Sequence, residues 1–173
     1  MDQETIKTQI NEWYHKYSNA LYKYIFFMTG EHEQTKDLLQ ETFLRAYKNY
    51  ESYKGSGEKN WLFRIARNLT IDYIRKKPVS YSFDPETGIQ DTDKTPEEII
   101  LLNESERALY IALRHIKSSY REVIILRKIR GFTINESSQI LGWSVNKVKV
   151  TLFRGLKALK KELEKEGNRD EII

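Results

Sequence analysis

The stretch from Asn60 to Lys77, Asn-Trp-Leu-Phe-Arg-Ile-Ala-Arg-Asn-Leu-Thr-Ile-Asp-Tyr-Ile-Arg-Lys-Lys, leaves this chain few folds to choose from. It contains no Gly or Pro, and its apolar residues return every three or four positions, the period of a helix and not of a strand. Leu62, Ile65, Ala66, Leu69 and Tyr73 share one side, while Arg64, Arg67, Asn68, Asp72 and Arg75 share the other. Asn60 is placed to cap the first free amides. Arg75, Lys76 and Lys77 suit the negative end of the helix dipole, and Pro78 stops the helix. A solvated charged face is the ordinary explanation for such a polar side. A second, separately basic helix near the C-terminus argues instead for a nucleic acid.

The same period runs through most of the chain. Residues 5–29 read as a helix through Ile6, Ile10, Trp13, Tyr17, Leu21, Tyr24 and Met28, ended by Gly30. Residues 31–50 read as another, with Leu38, Leu39, Thr42, Phe43 and Ala46 inward and Asp37, Gln40, Glu41 and Arg45 outward. Between them and the Asn60 helix lies a loop with Gly55, Ser56 and Gly57, which sets Tyr50 and Tyr53 beside Lys54 and Lys59. From Pro78 the character changes. Pro78, Pro85, Gly88 and Pro96 break regular structure, and Asp84, Glu86, Asp91 and Asp93 outweigh Lys94. This reads as a flexible acidic linker or a plain solubilising spacer.

A second unit begins near Thr95-Pro96-Glu97-Glu98, a capping-box pattern with Pro at the first helical position. Its first helix is expected to run through Ile99, Leu102 and Leu109 to Ile116, and Ser118 or Ser119 to cap the next, from Tyr120 to about Arg130. Thr133-Ile134-Asn135-Glu136 repeats the capping box before a short helix; Gly142 permits a tight turn, and Ser144 caps a long helix. Val145, Val148, Leu152, Leu156, Leu159 and Leu163 form its expected core stripe. Short helix, Gly turn and long helix make a helix-turn-helix. Lys147, Lys149, Arg154, Lys157, Lys160 and Lys161 lie on the long helix, with no acid from Ser144 to Lys161. A phosphate lattice calls for such cations, and base edges call for groups like Val150, Thr151 and Phe153 between them.

The expectation is therefore an all-α chain of two small helical domains, residues 1–77 and 97–165, joined by a linker over 78–96 and followed by a tail over 166–173. A charged fraction of 31% against 39% hydrophobic residues suits a soluble fold, and a net charge of +4 with pI near 9.1 leans toward anionic partners. No apolar run is long enough to span a bilayer and the N-terminus lacks a signal pattern, which favours the cytoplasm. Cysteine is absent, removing thiol nucleophiles, disulfides and Cys-type zinc sites. His15, His32 and His115 are scattered, Asp37 and Glu41 have no nucleophile nearby in sequence, and Gly55-Ser56-Gly57 lacks the spacing of a phosphate-binding loop. No catalytic residue, metal or cofactor is expected.

Three segments together resemble a bacterial RNA polymerase sigma factor of the extracytoplasmic-function group. Asp37-Leu38-Leu39-Gln40-Glu41-Thr42-Phe43-Leu44-Arg45-Ala46 looks like the region-2 helix that docks on the polymerase clamp. Trp61 to Arg75 looks like the promoter-opening helix, and Phe132 to Leu159 like the region-4 helix-turn-helix. Order and spacing agree over nearly the whole chain. The resemblance implies that Asp37, Gln40 and Glu41 contact core polymerase. It implies that Tyr53, Lys54, Lys59 and Asn60, with Asn68 and Asp72, take a flipped base of the −10 element, a step that needs rings and polar groups to replace lost stacking. Arg64, Arg67 and Arg75 would hold the backbone. Lys149, Val150, Thr151, Phe153 and Arg154 would meet duplex −35 DNA, with Lys147 and Lys157 on phosphates. The linker would run toward the polymerase's RNA path, and an anti-sigma factor anchored in the membrane would be the regulator. Lys147-Val148-Lys149-Val150-Thr151 stands where the family often has Thr-Val-Lys-Ser-Arg, so two reading positions for the −35 element differ; Thr35, ahead of the clamp contact, stands where the family favours Ala. Two other readings stay open: a helix-turn-helix repressor or activator working without polymerase, and an interaction protein whose first unit binds only protein.

Overall fold

The computed structural model describes residues 2–55, 57–77 and 103–165. Among them are seven α-helices and no strand. α1 (Gln3–Thr29), α2 (His32–Lys48) and α3 (Glu58–Lys76) pack on one another as the first unit, with a 3₁₀ turn at Tyr50–Ser52 after α2. α4 (Glu104–Arg114), α5 (Ser118–Ile124), a π turn (Ile125–Ile129), α6 (Ile134–Leu141) and α7 (Val145–Lys165) form the second.

The first core is aromatic-rich. Trp13, Tyr17, Leu21, Tyr24, Ile25 and Met28 of α1 meet Leu39, Phe43 and Ala46 of α2 and Leu62, Phe63 and Ala66 of α3, all buried. Gly30 ends α1 with φ +73, a left-handed conformation natural to Gly, and its N–H donates to Phe26 O at 2.8 Å. Thr35, where Ala was the family expectation, is fully buried, its hydroxyl donating to Glu31 O at 2.7 Å. The added hydroxyl is thus satisfied inside the helix and the fold absorbs it. Glu31 is buried too: its carboxylate accepts from Tyr73 at 2.7 Å and pairs with Lys77, tying the end of α3 to the α1–α2 turn.

The helix-turn-helix forms as its local signals dictate. Thr133 accepts from Glu136 N at 3.0 Å while Glu136 accepts from Thr133 N at 2.9 Å. Gly142 closes α6 at φ +70, and Ser144 accepts from Lys147 N at 3.1 Å at the start of α7. α7 buries Val148, Gly155, Leu159 and Leu163 against the second core of Tyr110, Leu113, Val123 to Leu126, Ile140 and Leu141.

Three boundary expectations and one core expectation change. Asn60 is not the cap of α3: the helix starts at Glu58 after Gly57, whose φ of +112 turns the chain three residues earlier. Ser118 and Ser119 lie inside α5, which follows Lys117 without a side-chain cap. The helix expected to run to Ile116 starts at Glu104, where Asn103 caps it by accepting from Glu106 N at 2.8 Å, and ends at Arg114. Val145 is 37% exposed and stands outside the core stripe. The Thr95 capping box, Ile99, Leu102 and the linker lie outside the described residues.

The two units touch. α3 packs on α6, and α1 on α5 and the π turn. Phe63 meets Phe132 edge-on at 4.9 Å. Arg121 donates to Met28 O at 3.1 Å and Arg114 donates to Phe27 O, so two buried guanidiniums face the carbonyl end of α1. That end has no basic residue of its own in its last turn. The second unit supplies the cations that suit it.

Candidate nucleic-acid and polymerase interfaces

α7 presents its expected face to solvent. Lys147, Lys149, Val150, Arg154 and Lys157 are exposed and Thr151 half-buried. Phe153 is 62% exposed, and with Val145 and Val150 it accounts for three of the five large exposed hydrophobic residues among the described ones. Apolar side chains left in water cost solvation that the fold does not need to bear. Two of the cations rest on rings: Lys157 Nζ lies 4.5 Å from the Phe153 ring centre, and Lys147 Nζ lies 4.4 Å from that of the half-buried Trp143. The face can offer phosphate contacts at its edges and short apolar groups at its centre.

The loop before α3 carries the second arrangement. Trp13 stacks on Tyr50 at 5.7 Å and meets Tyr53 edge-on at 5.2 Å, and Tyr53 leans on Trp61 at 5.3 Å. Trp13 is buried and anchors the group; Tyr50, Tyr53 and Trp61 are half-buried and hold ring surface near solvent. Beside them a cleft of about 330 Å³ is lined by Gly57, Asn60, Trp61, Arg64 and, from α6, Gln139. Rings, an amide and a guanidinium in one cleft can take a planar polar group such as a nucleobase. Lys54 is exposed at the loop, and Lys59 lies with its Nζ 5.1 Å from the Phe132 ring centre.

The remaining α3 residues are not gathered into that cleft. Asn68 and Asp72 are exposed on the same helix, eight and twelve residues past Asn60, which at about 1.5 Å per residue is roughly 12 and 18 Å along the axis. Arg75 is exposed near the end of α3. Arg67 is engaged: its Nε donates to Glu122 Oε1 at 2.6 Å, and its Nη1 to Asn68 Oδ1 at 3.3 Å. Only 4% of the Glu122 side chain and 12% of that of Arg67 are exposed. Burial pushes the Glu122 carboxyl up from its ordinary value, against the downward pull of the Arg67 hydrogen bond. Burial also holds Arg121 well below the usual guanidinium value, with Arg114 adding to the effect.

On α2, Asp37 and Gln40 are exposed, and Glu41 accepts from Arg45 Nε at 3.2 Å. Around the helix from them, Leu44 is 45% and Tyr14 42% exposed. They line a groove with Lys7, Ile10, Asn11, Phe43 and Tyr47. Trp61, Gln139, Glu122 and Leu44 were not expected from the sequence. Trp61 had a signal, an aromatic residue beside the tyrosine loop; Glu122 had none, because its partner is distant in the chain. Among the described residues no group of His, Asp or Glu could hold a metal ion, and no helix is long and apolar enough to cross a membrane.

Residues 13–78 match the Sigma-70 region 2 family and residues 106–159 the Sigma-70 region 4 family. The chain is 39% identical to the ECF RNA polymerase sigma factor SigX of Bacillus subtilis (strain 168) over 87% of this chain and 81% of that one. It is 36% identical to SigM of the same organism, over 87% of this chain and 93% of that one. Its fold resembles that of the sigma factor RpoE in a complex with the anti-sigma factor NepR from Bartonella quintana. The TM-score is 0.72 at 24% identity, over 90% of this chain and 97% of that one. CnrH, in a complex with the cytosolic domain of CnrY, gives 0.69 at 21% identity, over 91% and 89%. Two family regions in their expected order on one short helical chain, and relatives of this identity over most of its length, lead to one assignment: the chain belongs to the extracytoplasmic-function group of Sigma-70 factors.

Proposed function

We propose that this chain works by binding and not by catalysis, dividing the labour of a promoter-specificity subunit of RNA polymerase among three surfaces. Asp37, Gln40 and Glu41 on α2 grip core polymerase. Tyr53 and Lys54 of the loop before α3, with Lys59, Asn60, Trp61 and Arg64 from its first turns, take an unpaired base of the −10 element, while Arg67, Asn68, Asp72 and Arg75 follow the strand along α3. Lys147, Lys149, Val150, Thr151, Phe153, Arg154 and Lys157 on α7 read duplex −35 DNA in the major groove. The chain acts in the cytoplasm, and an anti-sigma factor, anchored in the membrane, restrains it.

The observation that carries this reading is the exposed apolar centre of α7, Val150 and Phe153, framed by cations with no acid between Ser144 and Lys161. An ordinary solvated face has no use for a phenyl ring in water, whereas thymine methyls and base edges do. Run-off transcription tests it, with core polymerase in the presence and absence of the chain on promoters from its own genome. Stimulation is expected; its absence would favour a free-standing repressor. Asn68→Ala is expected to reduce strand opening more than initial −35 binding, and equal losses would refute the division between α3 and α7.

A further inference from the structure

One side of α3 is covered by the second unit. Lys59, Phe63 and Arg67 fall four residues apart, a single stripe, and each meets a residue from beyond the linker. Lys59 and Phe63 both pack on Phe132, and Arg67 pairs with Glu122 at 2.6 Å. Gln139 lies across the cleft that holds Asn60 and Arg64. The ion pair is out of water, and a carboxylate oxygen on a guanidinium Nε occupies the place that a phosphate oxygen takes in backbone recognition.

We propose that Glu122 is an intramolecular stand-in for a DNA phosphate: it holds Arg67, keeps the two units closed, and excludes the single strand from α3 until they part. This rests on reading Arg67 as a backbone contact. With Glu122 in place a phosphodiester has no route to Arg67, so closure and strand capture are mutually exclusive, and each works against the other by mass action. Arg67 Nε needs an acceptor oxygen at this spot, and the side-chain oxygen of an amide of the same length can supply one. Glu122→Gln is then expected to stay closed, whereas Glu122→Ala leaves the Arg67 guanidinium buried without its acceptor and opens the chain.

The chain has no cysteine, so Lys48→Cys and Lys161→Cys, both at exposed positions, can carry a dye pair that reports the distance between the units by energy transfer. In undyed protein, binding of a fluorescein-labelled, mixed-sequence single-stranded DNA oligonucleotide is followed by anisotropy. Glu104→Ala, an exposed site in the second unit, is the control for the lost negative charge. Glu122→Ala should change the transfer and tighten binding by about tenfold over the control, and adding Arg67→Ala should erase that gain. Unchanged transfer in Glu122→Ala would overturn the proposal. So would an opened chain that binds no better than the control, since Glu122 would then hold the units without masking Arg67. A gain that survives Arg67→Ala would refute the reading of Arg67 as the backbone contact, leaving the opening itself intact. Should Glu122→Ala fail to fold, as judged by circular dichroism, Arg67→Ala probes the same opening from the other side.

Discussion

Gly155 sits buried in the middle of α7, where a Cβ would lie 3.1 Å from Tyr120 Cβ, 3.3 Å from Ile124 Cδ1 and 3.4 Å from Tyr120 Cα. Carbon contacts are comfortable at about 3.5–4.0 Å, so Gly155→Ala obliges α5 and α7 to part by roughly half an ångström. A gap of that size forfeits about a quarter of the attraction across the seam. A buried side chain makes about 40–60 contacts of about 0.1–0.2 kcal/mol each, so the loss for one such side chain is about 2 kcal/mol. Replacing Gly within a helix returns about 1 kcal/mol. Gly155→Ala is therefore expected to destabilise by about 1 kcal/mol, and Gly155→Leu by about 3 kcal/mol, since its extra carbons have no space to enter. Urea unfolding followed by circular dichroism measures both. A Gly155→Ala midpoint raised by the full helix-propensity gain would refute the close approach of the two helices.

Three further outcomes are expected. Phe153→Ala should leave stability within about 0.5 kcal/mol, because Phe153 is 62% exposed, yet weaken binding of a −35 duplex by the polymerase complex by about 1 kcal/mol or more; electrophoretic mobility shift at fixed salt reads this. Lys147→Gln and Lys157→Gln should each lower the slope of log affinity against log salt by about 0.9 with little effect on sequence preference, and an unchanged slope would remove that residue from the phosphate contacts. Glu122 titrates above its ordinary 4.5 in the folded chain, so the fold holds its proton more tightly than the unfolded chain does. The stability this contributes is complete below 4.5 and is lost as pH rises through the elevated native value. The urea midpoint of Glu122→Gln should accordingly gain on wild type as pH rises through that window, and a pH-independent difference would contradict the shift.

The elements that could be read from the chain are those whose donor and acceptor lie within a few residues. Gly30, the Thr133–Glu136 box and Ser144 all mark their helix ends as their residue types imply. Reading failed where two local signals competed. Asn60 is a good cap in isolation, but Gly57 can turn the chain sooner, and the helix takes the extra residues. Asn103 and Thr95 both suit a helix start, and the patterning does not say that α4 begins after Asn103. The π turn at Ile125–Ile129 has no local mark at all; it ends with Arg130 N–H donating to Ile125 O at 2.8 Å. The basic face of α7 was legible because its charges and apolar residues fall on one helical period. Glu122 was not, since a lone acid in Ser-Ser-Tyr-Arg-Glu-Val reads as solvated until its partner, Arg67, is brought to it from far along the chain.

The chemistry of the joint explains how two units can close and still part. An interface meant to be permanent would bury mostly apolar surface, which is stranded in water once opened. Here the apolar contribution is a set of ring contacts, with Phe132 against Phe63 at 4.9 Å and Tyr110 against both Phe26 at 5.4 Å and Phe27 at 6.0 Å. Around it lie polar groups that water can serve equally well. Arg121 divides its donors among Leu113 O at 2.8 Å and Ile116 O at 3.1 Å in its own unit and Met28 O at 3.1 Å in the other. When the units separate, Arg121 keeps two of these partners and gives up one carbonyl, which hydration replaces. Arg114 is buried with its Nε unpartnered and its guanidinium held below its usual value by burial, so it regains solvation on opening. Closure thus sets a few ring contacts and one ion pair against the dehydration of Glu122, Arg114 and Arg121. Terms of opposite sign leave a balance that a competing anion such as nucleic acid can tip.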